Sequence, residues 1–179
     1  MARKSITPGP HVVPMPAILV GSLVEGRPNF MTAAFCGIAN FQPPMIACGL
    51  SPAHRTCRGI EEHRQLSINV PSQDQGVVTD YCGLVSGDKV DKGALFETFL
   101  GALDAAPMIS TFPLTAECRL VNSVPLGVDT LYIAEIVGVH ADEEVLTDGE
   151  VDWGKVRPLL FTFPAPSYWR LGDFVGRAW

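Results

Sequence analysis

Apolar residues along this chain fall in short alternating runs more often than in helical stripes. Leu66-Ser-Ile-Asn-Val70 alternates cleanly and places Leu66, Ile68 and Val70 on one face of a strand. Leu114 to Asn122 repeats the pattern, with Ala116, Cys118 and Leu120 inward and Glu117 and Arg119 outward. Ala17 to Val24 is rich in branched residues and runs into Glu25-Gly-Arg-Pro28, which predicts a strand and a turn. Asn29 to Phe35 then returns as the second strand of a hairpin. Met45 to Leu50, after the Pro43-Pro44 turn, Thr130 to His140, and Leu159 to Phe163 bring the total to about seven strands.

Helical spacing is rarer. A helix starts within Ser51 to Thr56 and stops near Arg64. Either Ser51 caps it, with Pro52 in the first turn, or Thr56 does; the sequence leaves both registers open. Val77, Val78, Tyr81, Cys82, Leu84 and Val85 recur at helical spacing, with Gly87 as the stop. A weaker third helix covers Lys89 to Leu100. Strands and helices do not alternate regularly, so a doubly wound parallel sheet is disfavoured. The expectation is a mainly β (α+β) fold: one domain over residues 1–179, an antiparallel barrel with two or three flanking helices.

Composition narrows the function classes. A 179-residue chain that is 47% hydrophobic can bury a core without disulfides or metals. A net charge of -6 disfavours nucleic acid, which is bound through clustered Lys and Arg. The acidic stretch Asp142 to Asp152 reads as a solvated loop. Five cysteines, an odd number with no Cys-x-x-Cys pair, argue against a disulfide framework, and Cys36 reads as a core thiol. His54 and Cys57 are too few ligands for a structural zinc, so no metal is expected. Arg3-Lys4 followed by an apolar stretch resembles a signal peptide superficially, but Pro8, Pro10, Pro14 and Pro16 break it. The uncharged run Pro28 to Ala53 is better explained by adjacent strands and turns than by a membrane span. The reading is a cytoplasmic protein with no membrane or nucleic-acid partner.

Two neighbouring stretches carry candidate chemistry. Met31-Thr-Ala-Ala-Phe-Cys-Gly37 offers a small-residue backbone against which a flat ring can lie, with free amides for its polar edge. Ser51-Pro-Ala-His-Arg-Thr56 offers hydroxyls, a cation and a helix start, a combination suited to phosphate. Together they suit a phosphorylated aromatic cofactor such as FMN.

The same residues carry a resemblance. Met31 to Ile38, Pro43-Pro44-Met45, Leu50 to Thr56, Ile60-Glu-Glu62, Ile68-Asn-Val-Pro71, Asp80-Tyr-Cys-Gly83, Ser86-Gly87, Asp91-Lys92, Ala116-Glu-Cys118 and Tyr168-Trp-Arg-Leu-Gly172 occur in an ordered series. That series resembles the flavoredoxin branch of the flavin reductase-like family, the FMN-binding split barrels. The resemblance implies that Thr32, Ala33, Ala34 and Phe35 line the isoalloxazine, with Thr32 near its polar edge. It implies that Ser51, Arg55 and Thr56 hold ribityl and phosphate, and that Asn69 sits close to the pocket. Ser86 and Lys92 would approach ring or phosphate, and Tyr168 the pocket mouth, as a residue of either subunit of a homodimer. Three departures stand out, the first being that Phe161-Thr-Phe-Pro-Ala-Pro166, before Tyr168 on the side of substrate access, is more apolar and proline-rich than the resemblance implies. The order His54-Arg55 leaves open which of the two meets the phosphate, and Phe35 stands where relatives often carry Trp.

The implied activity is a redox one, with NADH or NADPH as electron donor and free flavin, another small-molecule redox substrate or a partner protein as acceptor. Hydride transfer needs no side-chain acid or base, so no catalytic residue is assigned. Two alternatives stay open: an FMN electron carrier lacking its own nicotinamide activity, and a non-redox β-barrel ligand-binding module.

Overall fold

The computed structural model describes residues 1–11 and 14–178. One antiparallel seven-stranded sheet dominates. Its strands are β1 (Ile18–Val24), β2 (Arg27–Ala33), β3 (Cys36–Asn40), β4 (Met45–Leu50), β5 (Gln65–Val70), β6 (Leu114–Pro125) and β7 (Thr130–Ala141). The order across the sheet is β2-β1-β5-β6-β7-β4-β3. The two edge strands, β2 and β3, are joined by only Ala34 and Phe35. A sheet whose opposite edges are two residues apart in the chain must curl until those edges meet. The result is a barrel split at Ala34-Phe35.

Local chemistry explains the elements. Glu25 and Gly26 both take positive φ, 53° and 73°, as a two-residue hairpin turn between β1 and β2 demands. The returning strand accordingly begins at Arg27 and ends at Ala33. Barrel-facing Val20, Met31, Leu50, Leu66, Cys118, Leu120 and Tyr132 form one buried cluster. Helix α1 (Arg55–His63) adds Cys57 and Ile60 to it and closes one barrel end. A Cβ at Gly59 would stand 2.1 Å from the Leu23 carbonyl oxygen, so α1 meets β1 at backbone contact. Helix α2 (Gly76–Leu84) and the following segment cover the outer face of β1, β2 and β5 through Leu19, Phe30, Cys82, Ile109 and Phe112. A hairpin of β8 (Leu159–Thr162) and β9 (Ser167–Arg170) pairs with Met15–Pro16 and leans on the barrel, where the Ala17 N–H donates to Leu159 O at 2.9 Å. Among the described residues no helix is long and apolar enough to cross a membrane.

Several expectations change. β3 does not stand out in the sequence, because it is an edge strand whose Gly37 to Asn40 are exposed. Neither Ser51 nor Thr56 caps α1: His54 holds the cap position and no side chain bonds there, Ser51 lying one turn earlier and the Thr56 hydroxyl being taken by Asn29. α2 stops at Leu84, before Gly87, when Val85 turns extended. Lys89 to Leu100 is not a helix: it forms a short turn at Gly93–Leu95 and a two-residue strand at Thr98–Phe99, and Lys92 is drawn inward by α2. Within Asp142 to Asp152, two two-residue strands form a small hairpin.

Glu117 does point to the outer face of β6, opposite Cys118 and Leu120, but that face is covered there and not solvated. It is 2% exposed and accepts N–H bonds from Ala102 at 3.0 Å and Leu103 at 2.6 Å, with His140 Nε2 3.2 Å away. Burial alone would raise its pKa; these partners outweigh burial and hold it below the usual carboxylate range. The loop that reverses its environment is remote in sequence.

Candidate functional site

Two adjoining clefts lie along the split. The larger, about 330 Å³, is lined by Met31 to Phe35, Ser51, His54, Gly83, Phe161, Phe163 and Tyr168, among others. The smaller, about 200 Å³, is lined by Asn29, Met31, His54, Arg55, Thr56, Gly83, Ser86, Gly87 and Lys92, among others. Met31, His54 and Gly83 border both, so the two clefts form one groove.

The larger cleft suits a flat ring. Its floor is the exposed backbone where β2 leaves the sheet, and its wall is aromatic. Phe161 and Tyr168 face each other across β8 and β9 with centroids 5.6 Å apart, and Phe163 meets Phe35 edge-on at 6.3 Å. Tyr168 Oη donates to Asp80 Oδ1 at 2.9 Å, tying the hairpin to α2. Burial first, then Asp80, push its pKa up to about 12, so the phenol stays protonated. The Thr32 hydroxyl bonds the Thr79 carbonyl oxygen. Gly83 makes that approach possible, since a Cβ there would sit 3.2 Å from Thr32 Oγ1.

The smaller cleft suits an anion. Lys92 is 4% exposed, and its ammonium makes one hydrogen bond, to Cys82 O at 2.6 Å. It takes part in none of the ion pairs among the described residues. An ammonium has three donors, so two remain to serve a ligand. Burial lowers the Lys92 pKa, the mark of a buried charge short of its counter-ion. Burial and then the Lys92 charge lower the His54 pKa, against Asp129. The amino end of α1 opens beside them without a side-chain cap, leaving first-turn amides for a ligand. Thr56 is fully buried and its Oγ1 accepts from Asn29 Nδ2 at 2.7 Å. This donor set, cationic and amide-rich beside an apolar slot, fits a phosphorylated flavin.

The expected residues divide as follows. Thr32, Ala33, Ala34, Phe35, Ser51, His54 and Tyr168 border the ring-sized cleft. His54, Arg55, Thr56, Ser86 and Lys92 border the cationic end. Arg55 is already engaged: its guanidinium reaches Glu25 at 2.7 Å and Asp88 at 3.5 Å. Asn69 borders neither cleft. Its Nδ2 donates to Leu19 O and Ser67 Oγ and its Oδ1 accepts from Ile109 N–H, so it fastens the covered face of β5. Asn29, Phe161 and Phe163 join the site without having been marked in the sequence. Gly87 lets its stretch of chain close on Asn29, since a Cβ at Gly87 would stand 2.4 Å from Asn29 Oδ1.

Comparison with known proteins gives a consistent result. The family model described as "Flavin reductase like domain" matches residues 11–165. Flavoredoxin from Methanosarcina acetivorans is 40% identical, with a TM-score of 0.93 over 98% of this chain and 96% of that one. Flavoredoxin of Desulfovibrio vulgaris (Miyazaki F) is 35% identical, with a TM-score of 0.92 over 99% and 97%. An FMN-binding domain of a flavin reductases-like enzyme from Shewanella baltica OS155 is 26% identical, with a TM-score of 0.79 over 91% and 89%.

Proposed function

The chain belongs to the flavin reductase like family, and on that premise we propose that it is an FMN-binding redox protein, a NAD(P)H-dependent flavin reductase or flavoredoxin-like oxidoreductase. The observation that carries the reading is the junction, at Met31, His54 and Gly83, of an aromatic-walled cleft with a cationic one. When bound, FMN supplies reversible acceptance and donation of hydride.

The chain's own groups then have distinct roles. Lys92, the Thr56 hydroxyl and the first amides of α1 hold the phosphate, and His54 stands at the passage between the clefts. The backbone from Thr32 to Phe35 carries the ring. Phe161, Phe163 and Tyr168 exclude water from one side and offer apolar faces for a flat nicotinamide or acceptor. Asp80 fixes the Tyr168 ring through its hydroxyl. Exposed Ile38 and Phe41, 73% and 91% accessible, favour pairing of two copies as a homodimer.

Anaerobic rapid mixing of the FMN-loaded protein with NADH or NADPH tests the reading. Fast loss of the visible flavin band with either donor supports it. A loaded protein that neither donor bleaches is an electron carrier dependent on a partner protein. A protein that takes up no FMN is a ligand-binding barrel of another kind.

A further inference from the structure

The split edge carries a second candidate chemistry. Cys36 opens β3, and Cys48 stands directly opposite on β4. One pair earlier, the Gly49 N–H donates to Phe35 O at 2.8 Å. Hydrogen-bonded and non-hydrogen-bonded pairs alternate along an antiparallel ladder, so Cys36 and Cys48 occupy the closer, non-hydrogen-bonded kind. Such pairs have Cα atoms about 4.5 Å apart with side chains leaving the same face, inside the range of about 4.4–6.8 Å that a disulfide spans. The other cysteines lack this: Cys118 stands opposite Leu66 and Ile136, and the Cys57 thiol donates to Ser51 O at 3.3 Å.

Access is one-sided. Cys48 is 1% exposed, whereas half-buried Cys36 lines an apolar cavity of about 270 Å³ with Ile18, Ile38, Val139 and Trp153. Ile38, Val139 and Trp153 are exposed and mark where that cavity meets solvent. A small uncharged molecule can enter it; a charged tripeptide thiol would have to shed its hydration. The hydrogen bond with Cys48, then burial, push the Cys36 thiol well up, so its oxidation is slow and quickens as pH rises and the thiolate forms.

We propose that Cys36 and Cys48 form a reversible cross-strand disulfide when hydrogen peroxide reaches Cys36 through the apolar cavity. The Cys36 sulfur attacks one peroxide oxygen, the O–O bond breaks and water leaves, giving a sulfenic acid. The Cys48 sulfur then displaces the sulfenic oxygen as a second water. Two thiols and one peroxide become one disulfide and two waters, and an added dithiol reverses the oxidation. Phe35 and Gly49, the next residues on each strand, wall the ring-sized cleft. The proposal concerns the thiols alone and is tested on the FMN-free chain.

The experiment treats the purified chain with hydrogen peroxide, then counts thiols after denaturation and measures intact mass. The expected result is a fall from the chain's five thiols to three, with loss of two hydrogens and full recovery in dithiothreitol. Chymotryptic cleavage after Phe41, between the two cysteines, should yield Cys36 and Cys48 peptides joined by a bridge. Cys36→Ser should keep its four thiols under the same treatment, whereas Cys48→Ser should stop at a Cys36 sulfenic acid, gaining one oxygen that dithiothreitol removes; the mapping on the unaltered chain needs no variant. In the unaltered chain, five unreacted thiols, a bridge between other cysteines, or Cys36 gaining oxygens without linking would each overturn the proposal.

Discussion

The Lys92 ammonium closes the last turn of α2 by donating to the Cys82 carbonyl oxygen at 2.6 Å, and among the described residues no carboxylate pairs with it. One bond therefore does two things. It satisfies a helix-terminal carbonyl, and it aims a buried cation along the wall of the smaller cleft. Lys92 is exposed by 4% only, so a bound anion in that cleft is what would complete its surroundings.

FMN affinity should fall at alkaline pH. The Lys92 pKa in the free protein lies below 10.5 because burial disfavours the charged form. The phosphate remains a dianion above about pH 7, so deprotonating Lys92 removes an attraction, and binding takes the proton back. Titrations between about pH 8 and 10 should show affinity declining as pH rises. The same series on Lys92→Gln should lack that component, with any titration of the flavin itself common to both. Parallel profiles for the two proteins would contradict the assignment.

Gly59→Ala should destabilise the fold, although alanine is the better helix former by about 1 kcal/mol. Its Cβ would enter at 2.1 Å from the Leu23 carbonyl oxygen and 2.9 Å from Ser22 Oγ, so α1 must lift from β1. Overpacking of this kind costs about 3 kcal/mol or more. A denaturant titration that finds the variant as stable as its parent would remove the close helix-strand contact from the account.

Glu117 ties stability to acid. Its folded-state pKa is depressed below 4.5, so its contribution is present above that value and is lost as pH falls through the folded pKa. Glu117→Gln should lose about 2 kcal/mol at neutral pH, since the charged acceptor of the Ala102 and Leu103 N–H groups is gone. Its unfolding midpoint should also vary less with pH below about 4.5 than the parent's. Equal acid slopes would show that another group controls acid unfolding.

The contrast between Glu117 and its neighbours shows where sequence reading reached its limit. Alternation placed Cys118 and Leu120 correctly, because those side chains meet the barrel interior that the strand period itself defines. It placed Glu117 on the outer face but not in the interior it occupies, because that face of β6 is covered by the Gly101–Leu103 segment, whose fit against the carboxylate is visible only in three dimensions. Asn69 is the same case on β5. The strand was legible, but the second layer that turns an apparent site residue into a structural fastener was not. In the groove, Thr32 to Phe35 and His54 to Thr56 were legible as local motifs. Asn29, Phe161 and Phe163 were not, since the long-range pairing of the β8–β9 hairpin brings the two aromatics in and the approach of Gly87 shapes the Asn29 pocket.

Removing the aromatic tie should loosen the ring end without emptying the anion end. Tyr168→Phe deletes the bond to Asp80 and leaves the ring edge-on to Phe161. The expected cost to flavin affinity is about tenfold or less, because the lost bond joins two protein groups and only positions the ring. Riboflavin and FMN should lose equally, as read by titration; a loss confined to FMN would move Tyr168 to the phosphate end.

The most direct test compares FMN with riboflavin, which lacks only the phosphate, on the parent chain and on Lys92→Gln. The account predicts that the parent binds one FMN per chain far more tightly than riboflavin. It predicts that Lys92→Gln narrows this preference by about 10- to 100-fold, the equivalent of one charge-assisted hydrogen bond, with riboflavin affinity retained. An unchanged preference in the variant, or a parent that does not distinguish the two flavins, would contradict a phosphate held at Lys92.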